Sequence, residues 1–155
     1  MARWKAFGLS YSGGSILSQS PFELIVSLPL QARYFLYRPV CDMRKSFDGL
    51  SGLVREGLSK DPLGGDVFIF FNARRTQVKL LVWEGDGFAL WYKRLEKGTF
   101  ELPVVDEKMN GHELRSDELL LILKGISLAS VRRRKRFDLN KNIFAGEPQN
   151  NFTHA

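Results

Sequence analysis

The residues best suited to chemistry in this 155-residue chain are cations set among aromatic rings. Arg74 and Arg75 follow one apolar run, and Lys79, Lys93 and Arg94 are interleaved with Trp83, Trp91 and Tyr92 on the next two. Guanidinium and ammonium groups attract phosphate, and aromatic faces stack on bases, so the pattern suggests a surface for nucleic acid. Trp91 and Tyr92 are the candidates for stacking on a base or a partner. Being adjacent on a strand, they face opposite ways, and at most one can enter a given core layer. A second cationic group is the run Arg132, Arg133, Arg134, Lys135 and Arg136. Of 23 Lys and Arg, five lie in this run, so the remaining 18 nearly balance 17 acidic residues. The net charge of +6 is therefore concentrated near the C-terminus, where clustered cations gain phosphate affinity by counterion release. A solvated, disordered charge run is the plain alternative.

Other chemistries find little support. A nuclease or transferase needs a positioned nucleophile and base, or carboxylates gathered around a divalent metal. Asp42, Asp48, Asp61, Asp66, Glu84 and Asp86 are the available acids, and most sit where caps and turns ordinarily use them. Gly64 and Gly65 precede a strand instead of opening a helix, unlike a phosphate-binding glycine loop. Cys41 is the single cysteine, which rules out an internal disulfide and a cysteine-based zinc site. It lies just before a helix start, yet without a histidine partner it reads as a buried structural thiol. His112 and His154 have no Cys or carboxylate at metal-ligand spacing. No catalytic residue, metal or cofactor is expected.

These groups must be held by the stretch 66–103, where apolar and aromatic runs alternate with turn-forming residues. Runs 67–71, 78–83 and 88–95 are rich in β-branched and aromatic residues and read as an antiparallel meander, with 99–102 as a short fourth strand. Glu84-Gly85-Asp86-Gly87 and Glu96-Lys97-Gly98 supply the turns, the two glycines of the first leaving the register open by one residue. Upstream, FELIVSLPL at 22–30 and RYFLY at 33–37 are further strand candidates. Asp42 has N-cap chemistry, and Met43, Phe47, Leu50, Val54 and Leu58 follow at helical spacing, predicting a helix that covers one face of the sheet. Its glycines 49, 52 and 57 oppose a helix unless they permit close approach to the sheet. Arg44, Lys45 and Arg55 read as its solvated face, with Arg44 and Asp48 as an i,i+4 pair. Residues 104–115 read as a polar loop. Ser116 then caps a second helix with Asp117 and Glu118 in its first turn and Gly125 at its end.

A hydrophobic content of 44% with 26% charged residues is that of a globular protein, and no run approaches the roughly 18 apolar residues of a membrane span. The start lacks the apolar core and cleavage site of a secretory signal, so a cytoplasmic, membrane-free location is expected. No small-molecule ligand is indicated. The domain reading is a flexible extension over 1–21, one domain over 22–130, and a basic, largely disordered tail over 131–155. Residues 22–126 are expected to fold without that tail.

The blocks RYFLYRPVCDMRKSFDGLSGLV, DPLGGDVFIFFN, VKLLVWEGDGFALWYKRLEKGTFELP and LLLILKGI, taken in order, resemble the TnpB-type accessory proteins of bacterial insertion sequences of the IS sixty-six group. The resemblance runs from about residue 33 to residue 137. These are distinct from the RNA-guided nucleases of the same name, whose acidic triad and zinc cysteines have no counterpart here. What the resemblance implies is a small protein encoded beside a transposase and contributing to movement of the element, with no catalytic motif of its own. It carries over positions, including Asp42 to Lys45, Phe47 to Leu50, Lys79, Asp86, Gly87 and Tyr92 to Glu96, without assigning them roles. Ala73 and Thr76 depart from the family pattern, where arginine and aspartate are usual. The first twenty or so residues lie outside it and are consistent with a misassigned start site.

The expected fold is α+β, an antiparallel meander of about four to six strands with both helices packed on one face. The expected function is a non-enzymatic accessory factor for transposition that binds DNA, the transposase, or both. A purely protein-binding module and a metal-dependent nuclease are the rivals.

Overall fold

The computed structural model describes residues 31–104, 109–132 and 134. The 22–30 strand candidate, the 1–21 extension and most of the basic run lie outside the described residues. The remainder is α+β, with a five-stranded sheet and two helices. Strands β1 (Tyr34–Tyr37), β2 (Val67–Phe71), β3 (Gln77–Trp83), β4 (Phe88–Arg94) and β5 (Gly111–Leu114) are ordered β4-β3-β2-β1-β5. Helix α1 (Phe47–Leu58) connects β1 to β2, and α2 (Ser116–Lys124) follows β5.

The meander β2-β3-β4 is antiparallel throughout. Trp83 pairs with Phe88, so Glu84 to Gly87 form the whole loop, closed by the Glu84 N–H donating to the Gly87 carbonyl at 2.9 Å. Three features differ from the sequence expectation. First, β1 and β2 are parallel, because α1 carries the chain back to the starting end before β2 begins. Second, residues 99–102 form no strand; the Phe100 N–H instead bonds the Arg75 carbonyl at 2.7 Å. Third, the 104–115 stretch contains β5, which pairs antiparallel with the outer side of β1.

The two helices lie on opposite faces of the sheet, not on one. Leu50 and Val54 of α1 are fully buried and share a cluster with Phe35, Cys41, Phe68, Phe70 and Leu81. Leu119, Ile122 and Leu123 of α2 share another with Leu36, Ile69, Leu80 and Trp91. Alternate residues of each strand go to alternate clusters, as a pleated strand demands. All five residues of β2 are consequently buried, and each large apolar side chain removed from water contributes about 1.5–3 kcal/mol.

Both helix starts also differ from expectation. Asp42 does not cap α1. Its Oδ1 accepts the Arg44 N–H at 2.9 Å in a local turn, and the helix begins after Ser46, in extended conformation. The i,i+4 partner expected for Arg44 is replaced accordingly, since its guanidinium pairs with Asp42 at 2.6 Å. At α2 it is Arg115 that occupies the extended capping position, and Ser116 is the first helical residue. The acids do the capping work: Glu118 Oε2 accepts the Arg115 N–H at 3.0 Å, and Asp117 Oδ1 accepts the Glu118 N–H at 3.0 Å. Gly57 meets its sequence condition, because a Cβ there would lie 2.6 Å from Tyr37 Cε2, too close for any side chain without movement. Among the described residues no helix is long and apolar enough to cross a membrane.

Candidate nucleic-acid interface

The topology sorts charge between the two ends of the sheet. Loops leaving the carboxyl ends of β1 and β2 and the carboxyl end of β4 all lie at one end, because β1 and β2 are parallel and Gln77 at the start of β3 pairs with Arg94. This end carries Arg44 and Lys45 before α1, Arg74 and Arg75 in the β2–β3 turn, Arg94 at the close of β4 and Lys97 just beyond it. All six are exposed. Their acidic neighbours are Asp42, which pairs with Arg44, Glu96, which pairs with Arg94 at 2.9 Å, and Asp48 in the first turn of α1. Lys45, Arg74, Arg75 and Lys97 make no salt bridge among the described residues. The Arg44 hydrogen bonds hold the Asp42 carboxyl down at about 2, so this acid stays ionised.

At the opposite end lie Asp61 and Asp66 before β2, Glu84 and Asp86 between β3 and β4, and Asp117 and Glu118 at the start of α2, interspersed with Arg33, Arg55, Lys60 and Arg115. Asp66 is buried and bridges to Arg33, whose Nη2 lies 2.8 Å from Oδ2. Asp61 Oδ1 accepts the Leu63 N–H at 2.9 Å. The candidate acids are thus divided between the ends, and among the described residues no three His, Cys, Asp or Glu side chains gather in a metal-holding group.

The β2–β3 turn at the basic end is rigidly built. Asn72 Oδ1 accepts the N–H groups of Thr76 and Gln77 at 2.9 and 3.0 Å, and its amide donates to Thr76 Oγ1 at 3.1 Å. Thr76, a departure from the family pattern, is here part of the turn's own bonding. The chain beyond β4 clamps the turn from outside, Leu95 N–H to the Thr76 carbonyl at 2.8 Å and Phe100 N–H to Arg75.

Two sequence candidates prove to be internal. Lys79 is buried, and its Nζ donates to the Met43 and Lys45 carbonyls at 2.8 and 2.7 Å. It is not a surface phosphate contact; burial lowers its pKa, and the two carbonyls accept its protons. Trp91 is 5% exposed within the α2-side core, so its ring has no face for a base. Tyr92 lies on the other face, half-buried, with the Lys79 ammonium 5.4 Å from its ring centre. The expected division of this adjacent pair therefore holds. Lys93 Nζ lies 3.5 Å from the Leu123 carbonyl at the end of α2, a weak contact that leaves it at the margin of the basic end. Cys41 is buried, and burial pushes its thiol pKa up, away from nucleophilic character.

Of the basic run, Arg132 and Arg134 are exposed, while Arg133, Lys135 and Arg136 lie outside the described residues. The run leaves the α2 face beside residues 101–104, where Ser127 Oγ donates to Glu101 Oε1 at 3.4 Å. Glu101 directly follows Phe100, the residue tied to Arg75. Val131, just before the run, lines a groove with residues 101–104 and with Glu118 and Leu121 of α2.

The sheet thus buries Cys41, Lys79 and Asp66 and exposes a group of cations at one end. The profile of the IS66 Orf2 like proteins matches residues 32–133, and the chain belongs to that family. It is similar to an uncharacterized protein, y4jC, of Sinorhizobium fredii (strain NBRC 101917 / NGR234), with 33% identity over 60% of this chain and 78% of the relative. A second uncharacterized protein of the same strain, y4hO, is 37% identical over 40% of this chain and 54% of its own length. No solved structure matches the chain significantly. Family membership places the protein in an accessory role in insertion-sequence transposition.

Proposed function

We propose that the protein carries out its accessory role as a non-enzymatic, cytoplasmic factor that binds DNA through the phosphate backbone, beside the transposase encoded by the same element. The observation that carries this reading is the segregation of charge along the strand axis, which collects exposed cations from three separate chain segments at one end of the sheet. The basic run adds attraction without shape. Phosphate contacts position a protein without reading bases, so recognition of a particular element end falls to the transposase. The experiment is a titration of labelled duplex DNA at several salt concentrations. Affinity that falls steeply with salt and differs little between sequences supports the proposal, and absence of binding at low salt removes it.

A second reading, docking of the transposase alone, is favoured by a groove of about 470 Å³ between residues 101–104 and 128–131. Leu102, Leu121, Leu128 and Val131 line it, and Val104 on its rim is fully exposed. A pull-down with transposase, with and without DNA, distinguishes the two.

A further inference from the structure

Arg75 sits in the left-handed backbone region at φ 54°, where a side chain is disfavoured and glycine or asparagine is the usual occupant. Among the described residues Ser59 is the one other non-glycine with positive φ, and it lies just past the end of α1, where left-handed backbone is the ordinary way to stop a helix. At Arg75 left-handed backbone closes a hairpin turn, the Arg75 N–H donating to the Asn72 carbonyl at 3.0 Å, a place that glycine usually fills. An arginine there keeps a backbone that its surroundings must over-determine. Here the over-determination is visible: the Asn72 side chain makes three bonds, two with Thr76 and one with Gln77, and Leu95 and Phe100 hold the turn's carbonyls from outside. The side chain held at this position is an exposed guanidinium with Arg74 adjacent, and neither makes a salt bridge among the described residues. A guanidinium offers planar, paired donors matched to phosphate oxygens, and a fixed backbone lowers the entropy lost when it binds.

We propose that the 72–76 turn is a preformed binding site for a nucleic-acid phosphodiester, with Arg75 as its principal contact and Arg74 beside it. This rests on the DNA-binding reading above and deepens it. The basic run provides diffuse attraction, and this turn provides the fixed contact that orients the sheet on the backbone.

The test uses the full chain with Arg75→Gly and Arg75→Asn, which remove the cation while suiting left-handed backbone, and with Arg55→Ala as a control. Arg55 is exposed in the last turn of α1, at the acidic end. Melting temperature and duplex affinity across a salt series are measured for each. The Arg75 variants should melt no lower than the wild type and bind about tenfold more weakly, the scale of one charge-assisted hydrogen-bonded contact. The slope of log affinity against log salt should become shallower by about 0.9, one phosphate. Arg55→Ala should change neither. If folded Arg75 variants bind like the wild type, or if Arg55→Ala loses as much, the turn site is overturned while DNA binding stands. If the wild type does not bind duplex DNA at low salt, both readings fall.

Discussion

The Lys79 ammonium donates to the Met43 carbonyl at 2.8 Å across more than thirty residues of chain, and a second bond to Lys45 completes the tether. This pins the loop bearing Arg44 and Lys45 against the start of β3, beside the Arg74–Arg75 turn. A buried lysine thus shapes the basic end without belonging to its surface. Lys79→Met should remove both bonds and leave two carbonyls short of a donor, costing about 1.5–3 kcal/mol. Urea denaturation measures this directly. A cost near zero would mean the tether does not hold the loop.

Trp91 and Tyr92 should behave oppositely. Trp91→Ala opens the α2-side core and should cost about 3–5 kcal/mol. Tyr92→Ala removes a half-buried ring from the other face and should cost clearly less. Denaturant midpoints for the pair, with DNA affinity measured alongside, check the assignment of Trp91 to the core. Equal costs would contradict it.

The Asp42–Arg44 pair gives a pH dependence of known sign. Its carboxyl is held near 2 in the folded protein, below its ordinary value of about 4. The contribution is therefore complete above about pH 4 and is lost as pH falls toward 2. Because the pair is exposed, the effect is small and weakens with salt. The difference in urea midpoint between wild type and Asp42→Asn should be present at neutral pH and vanish at the acid limit. A difference that persists there would show that the carboxylate is not its source.

The C-terminal limit of the body also has a structural test. Leu128, in a single 3-10 turn at Leu128–Ser130, packs against the α2-side core, so a chain ending at residue 126 loses that contact. Truncation after 131 should leave the melting temperature unchanged. Truncation after 126 should lower it by about 4–8 °C for each kcal/mol of burial lost. Equal melting temperatures would show that Leu128 adds nothing to the fold.

The β2-β3-β4 meander was legible because its aromatic and β-branched runs are separated by turn residues whose backbone needs are specific. What escaped was long-range. β5, sequence GHEL, carries one buried apolar residue, Leu114, so its strand character comes from the open edge of β1 and not from its own composition. Helical period identified Leu50, Val54 and Leu119 as apolar without saying which sheet face each would meet. A signal was present in VFIFF, whose lack of alternation marks a strand covered on both sides. Lys79 inside the apolar run QVKLLVW carried a similar signal, since a cation in a buried strand must find acceptors. Of the charge segregation only the meander's part was legible, because placing Arg44 and Lys45 at the same end depends on β1 and β2 being parallel.

The most direct test of that segregation is the salt dependence of duplex affinity in three full-length proteins. These are the wild type, a variant with alanine at Arg132, Arg133, Arg134, Lys135 and Arg136, and a variant with Lys45→Ala, Arg74→Ala, Arg75→Gly and Lys97→Ala. Each phosphate contact contributes about 0.9 to the slope of log affinity against log salt. Neutralising the run should flatten the slope by about four, and neutralising the sheet end by roughly two to four, with all sequences weakened alike. A sheet-end variant that keeps the wild-type slope and affinity while remaining folded would contradict the account.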